Sequence, residues 1–183
     1  MAKADRVFIY IGTYPSEDLA RADYQIVKDL HADGAVGTYD AAVVTKDADG
    51  RVHANKDETT TRHGAWGGLA AGAVVGLLFP PSIVVSAVVG AAVGGIGGHL
   101  WKGLSRSDVK ELGDIIDAGQ ACLLVVGEST VEGPVRKAGL QPKTQVAKQL
   151  DVDPKDIDDA VKDAATQLGA SAPTAAGAPA RAS

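Results

Sequence analysis

The chain of 183 residues has a single cysteine, Cys122, set inside the apolar run ACLLVV. One cysteine excludes a disulfide framework and a thiolate metal site, and it fits a reducing cytosol, where Cys122 serves as a small core residue. No part is strongly basic either. The net charge of −5 divides as −3 over residues 1–63, +1 over 64–103 and −3 over 104–183. That disfavours a nucleic-acid surface. The start, MAKADRVFIYIG, lacks the long apolar core and small-residue cleavage site of an export signal, and its VFIYI reads as a strand.

Motifs for chemistry are missing as well. His31, His53, His63 and His99 are dispersed, with no HExxH and no His/Cys pair at metal spacing. No GxxxxGK[ST] loop occurs, and GGIGG does not stand between a strand and a helix. Ser129 has no GxSxG elbow around it. Asp151, Asp153, Asp156, Asp158 and Asp159 lack the glycine and distal glutamate of a calcium loop, and acids are expected at a helix start. QVAKQLDVDPKDIDDAV has the outline of a helix-turn-helix, but its second helix is too acidic to dock on phosphates. We therefore expect no catalytic residue, no cofactor and no metal, and no small-molecule substrate is identified. An enzyme ranks behind two structural readings.

The most telling absence is of charge. From Gly64 to Trp101 there is no Lys, Arg, Asp or Glu, and half of the 22 glycines lie in this stretch or beside it. Gly64, Gly68, Gly72 and Gly76 fall four apart; after Pro80-Pro81 so do Ser82, Ser86, Gly90, Gly94 and Gly98. Residues spaced by four share one stripe of a helix, and a stripe of Gly and Ser lets another backbone approach closely. The expectation is a helical hairpin broken at Pro80 and Pro81, with a glycine zipper on each arm. Trp66 and Trp101, near its open ends, are candidates for a membrane interface.

Around this insert the pattern is α+β. Val7–Ile11 is an apolar strand ended by Gly12–Pro15. Ser16 can cap a helix with Leu19, Ala22, Ile26, Val27 and Leu30 on its buried face and Gly34 as its stop. Residues 36–46 and 51–57 flank Asp47-Ala48-Asp49-Gly50, a hairpin signal. After the insert, Ser105 and Asp108 form a capping box for a helix carrying Val109, Leu112, Ile115 and Ile116, stopped by Gly119; Ala121–Val126 is a second apolar strand. The order β-α-β-β-(insert)-α-β predicts a ferredoxin-like βαββαβ domain.

Any helix in 130–140 is short or begins at Val135 because of Gly133-Pro134, and 144–150 reads as a strand or a helix, the expectation being a strand beside Ala121–Val126. Asp153-Pro154 starts a helix with Ile157, Val161, Ala164 and Leu168 on one face. The expected divisions are 1–63 with 104–128 as the domain, 64–103 as the hairpin, 129–169 as an α/β extension and 170–183 as a low-complexity, disordered tail.

The segments DAAVVTKDADGRVHA (Asp40–Ala54), GAWGGLAAGAVVGLLFPP (Gly64–Pro81), the Gly-rich second arm and ELGDIIDAGQACLLVV (Glu111–Val126) make residues 5–128 resemble the DUF1269 family. These are uncharacterised bacterial proteins described as membrane proteins, and the resemblance implies no activity and no site residues. Two functions follow as expectations. One is a membrane-associated protein, anchored or oligomerised by its hairpin, at the cytoplasmic membrane with both termini cytoplasmic because Arg62, His63, Lys102 and Arg106 flank the ends. The other is a cytoplasmic homo-oligomeric scaffold with hairpins buried between subunits. The first arm is short of the ~20 residues that span a bilayer, which favours a shallow or re-entrant hairpin over a double crossing. The expected partners are further copies of the chain and, in the first case, lipid.

Overall fold

The computed structural model describes residues 6–55, 66, 69–79, 95–118 and 121–171, without the side chains of 55, 115–118 and 168–171. The described residues form five strands: β1 (Val7–Tyr14), β2 (Tyr39–Lys46), β3 (Val52–Asn55), β4 (Ala121–Glu128) and β5 (Thr144–Leu150). Six helices among the described residues accompany them: α1 (Glu17–Ala32), α2 (Leu69–Leu78), α3 (Gly95–Gly103), α4 (Arg106–Ala118), α5 (Glu132–Lys137) and α6 (Pro154–Ser171), with a 3-10 turn over Ser129–Val131 before α5. This is a mixed α+β fold on one antiparallel sheet, ordered β3-β2-β4-β1-β5.

Local signals produce the element ends. The Ser16 side chain accepts from the Leu19 N–H, 3.5 Å, at the start of α1. Gly34, at φ 71°, turns the chain out of that helix, and the Ala35 N–H closes onto the Leu30 carbonyl at 2.8 Å. Ser105 and Asp108 form the reciprocal box at the start of α4: Ser105 N–H donates to Asp108 at 2.9 Å, and Asp108 N–H to Ser105 Oγ at 3.1 Å. Asp153 receives the Lys155 N–H at 2.9 Å, with Pro154 as the first residue of α6. Gly50, at φ 79°, turns the hairpin between β2 and β3.

The long-range arrangement departs from expectation. β1 does not stop at Gly12; it continues to Tyr14, buried along all eight residues, because β4 and β5 pair with it on both sides. β5 therefore lies beside β1 and not beside β4. β4 is inserted between β1 and β2, while β3 is pushed to an edge. A βαββαβ unit formed from the first four strands would have placed β3 next to β1, so that assignment of strands is corrected. The helix face of α1 is rotated too: Ala20, Asp23, Tyr24 and Val27 are buried, Ala22 is exposed and Leu19 is 50% exposed. α6 continues through Ser171, two residues into the expected tail. Gly119 and residues 172–183 lie outside the described residues.

The sheet is covered on both faces. On one, Phe8, Tyr10, Tyr14, Leu123 and Val125 pack with Ala20, Tyr24 and Val27 of α1 and with Val131 and Val135. On the other, Val7, Ile9, Ile11, Ala42, Leu124 and Val126 meet Val74 of α2, Leu100 of α3, Leu112 of α4 and Ile157 of α6. Alternation along each strand divides its side chains between these two cores.

Candidate functional site

The charge-free stretch is the feature without an ordinary explanation, and its described parts sit on the second face. α2 is buried at every position from Leu69 to Val75, and a helix apolar all round belongs in an interior. The chain itself supplies that interior, since α2 packs against β2, β4, α3, α4 and α6.

Two carboxylates fix its start. Asp40 on β2 is 7% exposed and accepts the Ala71 N–H at 2.8 Å. The first N–H groups of a helix have no partner within it, and a carboxylate there also meets the positive end of the helix dipole. Trp66, one turn before α2, is fully buried, and its indole Nε1–H donates to Asp158 on α6 at 2.5 Å. The Leu69 N–H closes onto the Trp66 carbonyl at 2.9 Å, carrying that anchorage into the helix. Trp66 is thus enclosed by protein, a correction to its expected place at a bilayer interface: an indole buried by its own chain and satisfied by a carboxylate needs no headgroup. Trp101 is 47% exposed on α3.

The glycine stripe meets a mixed outcome. Gly72 is buried and Gly76 half-buried on α2. Gly98 is exposed, and a Cβ there would meet nothing within 4 Å, so it is not a close-approach position among the described residues. That role falls to Gly103, where a Cβ would lie 2.5 Å from Val152 Cγ2 and 3.1 Å from Leu150 Cβ. Gly103 is out of step with the four-residue series, so spacing could not reveal it. Gly64, Gly68, Pro80, Pro81, Ser82, Ser86, Gly90 and Gly94 lie outside the described residues.

Elsewhere, Asp23 of α1 accepts from the Tyr14 hydroxyl and the Gln141 N–H, both at 2.7 Å. Burial, then the Asp23 contact, pushes the Tyr14 hydroxyl far above its ordinary range. The neighbouring Tyr10 hydroxyl is buried beside Tyr14, and burial raises it also. Lys148 on β5 bonds Asp108 and, at 2.6 Å, Glu111, tying α4 to the sheet. An acidic cleft holds His99, Asp156, Asp159 and Asp163, with His99 Nδ1 3.7 Å from Asp156. Among the described residues no three His, Cys, Asp or Glu are grouped to hold a metal ion, and no helix is long and apolar enough to cross a membrane. Cys122 is buried in β4 among core side chains.

A family model described as a protein of unknown function, DUF1269, matches residues 65–160. The chain belongs to the DUF1269 family. The match begins beside Trp66 and ends two residues past Asp158, so the DUF1269 region contains both ends of that hydrogen bond. It also extends through β5 into α6 and omits residues 1–64, unlike the 5–128 span of the sequence resemblance. No curated protein and no solved structure matches the chain.

Proposed function

We propose that this DUF1269 protein is a non-enzymatic structural protein whose charge-free stretch organises copies of the chain into an assembly. The observation that favours a structural role over an anchor is the seating of α2, closed in by its own sheet and helices and held by Asp40. An element so enclosed is a fixed part of a domain and not a detachable anchor. Two more observations support the architecture behind it. The strands β5-β1-β4-β2 follow a split βαβ pattern twice, β1-α1-β2 around β4 and β4-α5-β5 around β1. This supports reading them as a ferredoxin-like core, with β3 and the apolar stretch inserted between β2 and β4. Gly72 and Gly76 support a small-residue packing stripe on α2.

Residues 80–94, PPSIVVSAVVGAAVG, carry no charge and need a cover of protein or lipid. At 15 residues they are too few for a there-and-back crossing, each span of which takes ~20. Protein from another copy is the preferred cover. Membrane association is the second reading, favoured by Arg62, His63, Lys102 and Arg106 at the two ends of the apolar stretch. Carbonate-washed membranes and light scattering in detergent-free buffer separate the two. A discrete oligomer in the supernatant supports the assembly; retention in the washed membrane overturns it in favour of the anchor. A monodisperse monomer overturns both.

A further inference from the structure

We propose that the outer edge of β5 is a pairing surface for a second copy of the chain, joining two five-stranded sheets into one across a two-fold axis. This rests on the sheet edge and not on residues 80–94. β5 has seven residues, about 23 Å of strand at ~3.3 Å per residue, and among the described residues it pairs only with β1. The opposite edge strand, β3, has four.

Edge strands are ordinarily blocked by proline, by a free lysine or by a covering element. β5, TQVAKQL, contains no proline, and its one charge is already neutralised inside the subunit, where Lys148 bonds Asp108 and Glu111. Recesses flank the strand on both faces of the sheet. One, of about 470 Å³, is lined by Thr13, Ser107, Lys110, Lys143 and Thr144. The other, of about 280 Å³, is lined by Tyr10, Val135, Arg136, Leu140, Gln145 and Ala147. A strand laid along β5 sends alternate side chains to both faces, so it can fill both recesses at once.

The strand is compatible with itself. Antiparallel pairing centred on Ala147 sets Ala147 opposite Ala147, Val146 opposite Lys148, and Gln145 opposite Gln149. No like charges face one another, and Val146 meets the aliphatic stem of Lys148. Such an interface is isologous and closes at two subunits through this edge.

The register provides the test on the full chain. Facing Cα atoms across an antiparallel pair lie about 4.5–5.5 Å apart, within reach of a disulfide. Ala147→Cys should cross-link to a dimer on mild oxidation. Gln145→Cys alone should not, because its two copies are offset by four positions, whereas mixing Gln145→Cys with Gln149→Cys should restore the link. Gln145→Lys/Gln149→Lys should lower the dimer fraction at least tenfold in sedimentation, and Gln145→Glu/Gln149→Lys should recover it. A monomer that does not cross-link at position 147 overturns the proposal. So does an oligomer that resists both the cross-link and the lysine pair; that result would leave the assembly through the apolar stretch standing.

Discussion

The indole of Trp66 and the carboxylate of Asp158 meet at 2.5 Å although 92 residues separate them in sequence. They pin the entry to α2 onto α6, and the indole, being fully buried, has no water to fall back on. Asp158→Ala leaves that N–H unsatisfied and should destabilise the fold by about 1–3 kcal/mol. Asp158→Asn, which keeps an acceptor, should cost less. Urea unfolding monitored by tryptophan emission measures both; equal losses would show that charge, and not the acceptor, matters.

Asp40 and the N-terminus of α2 make a second contact that can be cut. Asp40→Ala removes the acceptor of the Ala71 N–H in a buried setting, with an expected loss of ~1–3 kcal/mol. Hydrogen exchange at Ala71 should accelerate beyond what the global loss explains. Unchanged exchange there would mean that packing alone holds the helix start.

Glycines of the apolar stretch and its edge should respond unequally. Gly98→Ala, facing open space in an exposed helical position, should be neutral or stabilise by up to about 1 kcal/mol. Gly103→Ala drives a Cβ against Val152 and Leu150 and should cost roughly 1–3 kcal/mol. Gly72→Leu, in the buried part of α2, should be worse still. Thermal melts of the three variants give the ranking, and a harmful Gly98→Ala would assign that position a partner on another copy.

Acid should find the tie between α4 and β5. Lys148, then Ser105, holds the Asp108 carboxyl at about 2, below its ordinary 3.8. A carboxyl depressed in the fold contributes stability at pH above its unfolded value and loses it as pH falls toward the folded one. The contribution should be complete at neutral pH and drain away between about pH 4 and 2. Lys148→Met should flatten that part of the stability profile. A wild-type slope persisting in the variant would place its origin elsewhere.

The features that could be read from sequence are those made within a few residues. Ser16, the Ser105/Asp108 box, Asp153-Pro154 and the turn glycines Gly34 and Gly50 act on neighbours, so local chemistry identifies them. Strand order is set by contacts across the whole chain: nothing in TQVAKQL says that it pairs with Val7–Tyr14 rather than with Ala121–Glu128. Face assignment is partly right on α1, where Val27 and Leu30 do meet the core; it misses Asp23, a polar residue whose burial depends on the distant Tyr14 and Gln141. The apolar stretch was evident as a stretch. What it packs on was not, because Asp40 and Asp158 are ordinary acids until the fold brings them to Ala71 and Trp66.

β1 lies between two strands that are both synthesised late, β4 from residue 121 and β5 from residue 144. At roughly 5–20 residues per second, about 5–20 s pass between translation of Tyr14 and of the first strand able to pair with it. Throughout that interval the nascent chain carries VFIYI with no sheet to join. An apolar, β-prone segment left unpaired is an aggregation hazard, and synthesis halted before residue 121 should leave a fragment prone to aggregation.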